Sequence, residues 1–110
     1  MSNTKTELPY GTLDLLILKT LESGAQHGWA ISRRISERSR DVLRVGQGSL
    51  YPALYRLEER GLLVSEWGTS DEGRRARFYK LSAAGRRQLK SETSAWHEYS
   101  GAINLVLRGA

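Results

Sequence analysis

The residues best equipped to do chemistry in this 110-residue chain are its arginines. Between Arg74 and Lys90 seven side chains are basic (Arg74, Arg75, Arg77, Lys80, Arg86, Arg87, Lys90) and none is acidic. A guanidinium is no base at neutral pH, but it forks onto phosphate oxygens and onto the acceptor edge of guanine.

Other reactive types are few. His27 and His97 have neither a metal-ligand spacing nor a nucleophile set beside them. Ser49 has no His or Lys next to it, and the glycines around it do not form a phosphate-binding loop pattern. Cysteine is absent, which removes disulfides and thiolate metal sites together and accords with a reducing compartment. No constellation for proton transfer, nucleophilic attack or metal activation can be assembled, so neither catalysis, nor a metal, nor a cofactor is expected.

Overall, 17 Lys and Arg against 12 Asp and Glu give a net charge of +5 and a pI near 9.9. Such a balance fits a solvated face as well as it fits a polyanionic partner, so the setting of the basic residues has to decide. With 39% hydrophobic residues the chain can build one core, hence one compact unit. Its best apolar run, Leu13 to Leu21, is interrupted at Lys19 and falls short of the roughly 18 residues of a membrane span. Met1 to Leu8 lacks the apolar centre of a secretory signal, so a cytoplasmic location is expected.

The elements that must position the arginines follow from periodicity. Leu13, Leu16, Ile17 and Leu21 form a helical stripe that ends at Ser23-Gly24. Trp29, Ile31 and Ile35 mark one face of a second helix, with Arg33, Arg34, Glu37, Arg38 and Arg40 on the rest. Val42 to Val45 suggests a brief strand. Ser49 is placed to cap a third helix whose first turn holds Pro52, where proline is tolerated, and Gly61 stops it. Leu62–Trp67 and Ala76–Leu81 are strand-like, joined by the polar tip 68–75. From Ser82, a capping residue, Leu89, Trp96, Tyr99, Ile103 and Val106 form a final helical stripe.

The order is helix, helix, short strand, helix, strand, basic loop, strand, long helix. It predicts a mainly α (α+β) winged helix-turn-helix with a two- to three-stranded β wing. The expected organisation is a flexible segment 1–10, a DNA-binding unit 11–81 and a C-terminal dimerisation helix 82–110. In such an architecture the third helix enters the major groove and the hairpin reaches the flanking backbone. Projected at about 100° per residue, Leu50, Leu54 and Leu57 share the inner face, while Gly48, Tyr51, Pro52, Tyr55 and Arg56 lie outward or at its flanks. The candidate DNA contacts are therefore Gln47, Gly48, Ser49, Tyr51, Pro52, Tyr55 and Arg56, with Arg74, Arg75 and Arg77 on the wing. Packing of the tyrosines against a neighbouring loop is the structural alternative. Asp71 and Glu72 are expected to point away from DNA or to pair with arginine.

Three stretches carry a resemblance: Gly11-Thr12-Leu13-Asp14-Leu15-Leu16-Ile17-Leu18, His27-Gly28-Trp29-Ala30-Ile31, and the most specific, Gly48-Ser49-Leu50-Tyr51-Pro52-Ala53-Leu54-Tyr55-Arg56-Leu57-Glu58-Glu59-Arg60-Gly61. Together with Arg77 to Gly85, these resemble the PadR family of transcriptional regulators, in its short subfamily with a single C-terminal helix. Trp29 and Phe78 stand where tyrosine is commoner in that family. The resemblance implies a homodimer whose C-terminal helices cross the partner subunit and whose recognition helices read a roughly palindromic double-stranded operator, as a repressor. Trp96 matches the tryptophan on which drug-sensing relatives stack flat aromatic effectors at the dimer seam; a packing anchor is the plainer role for it.

The sequence supports dimerisation separately. A helix bearing Leu89, Trp96, Tyr99, Ile103 and Val106 carries more apolar surface than one small core covers, against the alternative of packing on the first helix. A winged helix that binds protein rather than DNA is the competing function, since fold does not fix function. Arginine beside both proposed DNA elements favours nucleic acid.

Overall fold

The structure, a computed structural model, describes residues 11–109; the segment 1–10 expected to be flexible lies outside them. The chain runs α1 (Thr12–Thr20), a 3-10 turn (Leu21–Ser23), β1 (Gln26–His27), α2 (Gly28–Arg38), α3 (Gln47–Glu59), β2 (Leu63–Thr69), β3 (Arg75–Leu81) and α4 (Ala83–Leu107). The strands form one antiparallel sheet in the order β1-β3-β2. This is the winged helix-turn-helix that the element pattern predicts, with one change of order: the short strand precedes the second helix.

The core lies where α1, α2, α3 and the base of the hairpin meet. Ile17, Leu18 and Leu21 enter it from α1 and its 3-10 turn, Ile31 and Ile35 from α2, and Leu50, Leu54 and Leu57 from α3; Leu63, Tyr79 and Leu81 close it from the sheet. Burial of such side chains, about 1.5–3 kcal/mol each relative to exposure, is what orders a helix as short as α1. Trp29, grouped by periodicity with Ile31 and Ile35, is instead exposed, beneath the guanidinium of Arg33 at 4.7 Å.

Val42 to Val45 is not a strand. The backbone turns after α2 through Arg40 and Asp41, both at positive φ, and the turn is held by Asp41 N–H donating to the Ser36 carbonyl at 2.8 Å. Val45 is buried, and its carbonyl accepts from Ser32 Oγ at 2.7 Å. The place beside β3 is taken by Gln26–His27.

Helix α3 begins at Gln47 with Gly46 as its cap residue. The Gly46 carbonyl accepts from the N–H groups of Ser49 and Leu50, so Ser49 is inside the helix and does not cap it. Pro52 accordingly falls in the second turn, where its missing N–H leaves the Gly48 carbonyl without the usual donor four residues on. The far end follows expectation. Leu62 N–H donates to the Leu57 carbonyl and Gly61 N–H to Glu58, with Gly61 at φ 77°, which is a Schellman stop.

Ser82 caps α4 as expected, its Oγ accepting from Gly85 N–H at 3.0 Å and donating to the Gly61 carbonyl at 2.7 Å. This start is packed so closely that a Cβ at Gly85 would lie 2.1 Å from the Leu62 carbonyl oxygen. Leu89 is 5% exposed and belongs to the core of its own chain, which corrects its assignment to a dimer interface. The first turns of α4 pack on α1, and the helix then continues to Leu107. Beyond Leu89, Trp96, Tyr99, Ile103 and Val106 are all exposed, from 37% at Trp96 to 77% at Val106.

Candidate nucleic-acid interface

The register of the hairpin decides where its arginines go. Trp67 stands opposite Arg77 and Thr69 opposite Arg75. Because side chains alternate along a strand, Trp67, Arg75, Arg77 and Tyr79 share one face. On that face the guanidinium carbons of Arg75 and Arg77 lie 4.7 and 5.7 Å from the centre of the Trp67 ring. The ring quadrupole attracts both cations and restricts them to its surface.

Arg77 is also tied to α3. Its Nε donates to Ser65 Oγ at 2.9 Å, Ser65 Oγ donates to Glu58 at 2.6 Å, and Arg77 forms an ion pair with Glu58 at 3.7 Å. The wing is thereby set relative to the third helix by polar bonds as well as by the core. At the tip, Ser70 N–H donates to the Arg74 carbonyl at 2.8 Å, and Gly73 supplies the positive φ that closes the turn.

Between wing and helix lies a cleft of about 860 Å³. Tyr51, Tyr55 and Glu58 line it from α3, and Trp67, Arg74, Arg75 and Arg77 from the wing side. The start of α2 contributes His27, Gly28 and Trp29, and Tyr79 also lines it. Burial, with the nearby Tyr55 adding to it, pushes the Tyr79 hydroxyl above its ordinary value, so this group is a neutral donor at physiological pH. His27 has a structural task here: its Nδ1 accepts from Ala30 N–H and caps α2.

The cleft gathers five of the ten sequence-predicted DNA contacts: Tyr51, Tyr55, Arg74, Arg75 and Arg77. Gln47, Gly48, Ser49 and Pro52 are exposed on the leading turns of α3, outside the cleft. Arg56 is exposed but turned towards α1, where it pairs with Asp14 at 2.8 Å. Tyr51 is half-buried against the core and over Gly28 of α2, not against a loop, while Tyr55 is open to solvent. Glu72 does not point away: it lines the cleft beside Arg74 and Arg75. Among the described residues neither Asp71 nor Glu72 pairs with an arginine.

Trp67, Trp29 and Gly28 were not legible as site residues. The one signal for Trp67 was its place in a strand facing an arginine-rich strand, and pairing it with Arg77 requires the length of the hairpin tip. Among the described residues no group of three His, Cys, Asp or Glu side chains is placed to hold a metal ion, and no helix is long and apolar enough to cross a membrane.

A helix-turn-helix flanked by a hairpin that faces the exposed side of its second helix defines a winged-helix regulator. The chain belongs to the PadR-like family of transcriptional regulators, whose model matches residues 17–91. It is 48% identical over 62 residues, 56% of this chain and 57% of the relative, to the transcriptional regulator Rv3488 of Mycobacterium tuberculosis. A PadR family transcription regulator from Clostridium difficile superposes with a TM-score of 0.76 at 29% identity, over 88% of this chain and 99% of the other. A PadR-like transcriptional regulator from Bacillus cereus does so with a TM-score of 0.77 at 25% identity, over 91% and 95%.

Proposed function

We propose that this chain is a homodimeric, sequence-specific DNA-binding repressor, with residues 11–81 as the DNA-binding unit and 82–110 as the dimerisation helix. The observation that carries this reading is the arginine-bearing face of the wing, set beside the exposed side of α3. The leading turns of α3 present Gln47, Gly48, Ser49 and Pro52 to solvent, and Gly46 offers no side chain to satisfy the first N–H groups. A helix start of this kind favours phosphate and allows close approach to base edges. Tyr55 and the exposed side of Tyr51 contact the groove wall, Arg56 exchanges Asp14 for phosphate or guanine, and Arg74, Arg75 and Arg77 neutralise backbone phosphates.

A second copy of the chain covers the distal half of α4. Trp96, Tyr99, Ile103 and Val106 recur at separations of three, four and three, and all are exposed in the isolated chain. Two such helices bury one another and hold two α3 helices about one DNA turn apart on a roughly palindromic site. Occupied DNA blocks a promoter. A small aromatic effector stacked on Trp96 at the seam releases it if the ligand prefers the dimer form in which the α3 helices no longer match the half-sites.

Mobility-shift titration against the chain's own upstream DNA and a shuffled duplex tests this. The expected result is sequence-dependent binding of two chains per site. Equal, weak binding to both duplexes contradicts it and favours a protein-binding winged helix.

A further inference from the structure

The cleft between α3 and the wing holds more aromatic surface than a DNA backbone can use. Tyr51 and Tyr55 lie 6.3 Å apart on one side, Trp67 stands on the other under two guanidiniums, and Tyr79 also lines the cleft. A passing phosphodiester engages the arginines, but bases of an intact duplex stay stacked on each other and give these rings nothing flat to cover. The volume, about 860 Å³, lies within the range of roughly 300–1,000 Å³ typical of small-molecule sites. Two carboxylates also line the cleft, Glu58 and Glu72. Glu58 is already engaged by Ser65 and Arg77, whereas among the described residues neither Arg74 nor Arg75 forms an ion pair, and Arg75 is held only over the Trp67 ring.

We propose that this cleft is a ligand site for a free planar aromatic anion, with the ring held between the tyrosines and Trp67 and its anionic group on Arg75 and Arg77. The occupant competes directly with DNA for those two arginines, unlike an effector at the Trp96 seam, which acts through dimer geometry. The competition rests on the proposed DNA-binding function; the site itself does not. A mononucleotide and an aryl carboxylate share the required chemistry.

Isothermal titration of the full chain without DNA tests the site, with adenosine 5′-monophosphate and 2-naphthoate as probes and adenosine and 2-naphthylmethanol as their neutral counterparts. At least one anionic probe binds once per chain, and at least tenfold more tightly than its neutral counterpart; whichever binds distinguishes nucleotide from aryl carboxylate. Trp67→Ala and Tyr55→Ala, both at exposed positions, each weaken binding at least tenfold, whereas Trp96→Phe leaves it within twofold. Binding of neither probe overturns the proposal, as does binding lost in Trp96→Phe and kept in Trp67→Ala. Added to the mobility shift, the bound probe raises the apparent Kd for DNA in proportion to its concentration, and an unchanged Kd overturns the competition. If the chain binds no DNA at all, the functional reading fails while the titration still decides the site.

Discussion

The ring of Tyr51 lies over Gly28 so closely that a Cβ built there would stand 2.5 Å from the tyrosine hydroxyl oxygen. The contact joins the start of α2 to the exposed flank of α3 and fixes one wall of the cleft. Gly28 is buried, and its lack of a side chain is what lets the ring settle against the core. Gly28→Ala is expected to push the ring aside and leave the helices in place, because the obstructing atoms are the far end of a side chain. A loss of about 1–3 kcal/mol in thermal or urea unfolding is the expected cost of such overpacking, together with weaker DNA binding. Unchanged stability and affinity would remove Tyr51 from the account.

Trp67 makes the wing arginines a prepared pair. Trp67→Ala removes two cation–π contacts, worth about 0.5–1 kcal/mol each at exposed positions. DNA affinity should fall severalfold with its salt dependence unchanged, since the same charges still meet the same phosphates. Fluorescence anisotropy over a salt series reads both quantities.

The distal half of α4 carries the dimer claim. Ile103→Asp and Val106→Asp place charges on the exposed apolar stripe, and sedimentation should show a folded monomer with weakened operator binding. A dimer that survives both substitutions would locate the subunit contact elsewhere.

Leu89 separates the core from that interface. Leu89→Ala should lower unfolding stability by about 2–5 kcal/mol through the cavity it leaves. In native buffer the remaining folded protein should stay dimeric, because the residue is buried within its own chain.

Much of this architecture is legible in the sequence. The leucines of α3, the Gly61 stop and the Ser82 cap follow from local chemistry, and the structure keeps all three. Where periodicity misleads, a tertiary demand decides. Val45 has the composition of a strand but fills a core position, and Trp29, two residues before Ile31 and so about 200° round α2 from it, faces away from the core under an arginine. Leu89 and Trp96 sit on one stripe, and sequence alone cannot mark where α4 leaves the core. The cleft was legible only in its halves: the tyrosines and arginines stand out by type, but the roles of Trp67 and Gly28 depend on strand register and on the approach of two helices.

The central claim is that α3 reads base sequence while the wing holds phosphates. Anisotropy titrations of the wild type, Arg75→Ala and Gln47→Ala, on operator and shuffled duplexes across a salt series, test it most directly. Arg75→Ala should weaken binding to both duplexes alike and reduce the salt slope by about 1, the signature of one lost phosphate contact. Gln47→Ala should leave the slope unchanged and narrow the gap between operator and shuffled DNA. Wild-type slope and affinity in Arg75→Ala, or undiminished discrimination in Gln47→Ala, would contradict the division of labour between wing and helix.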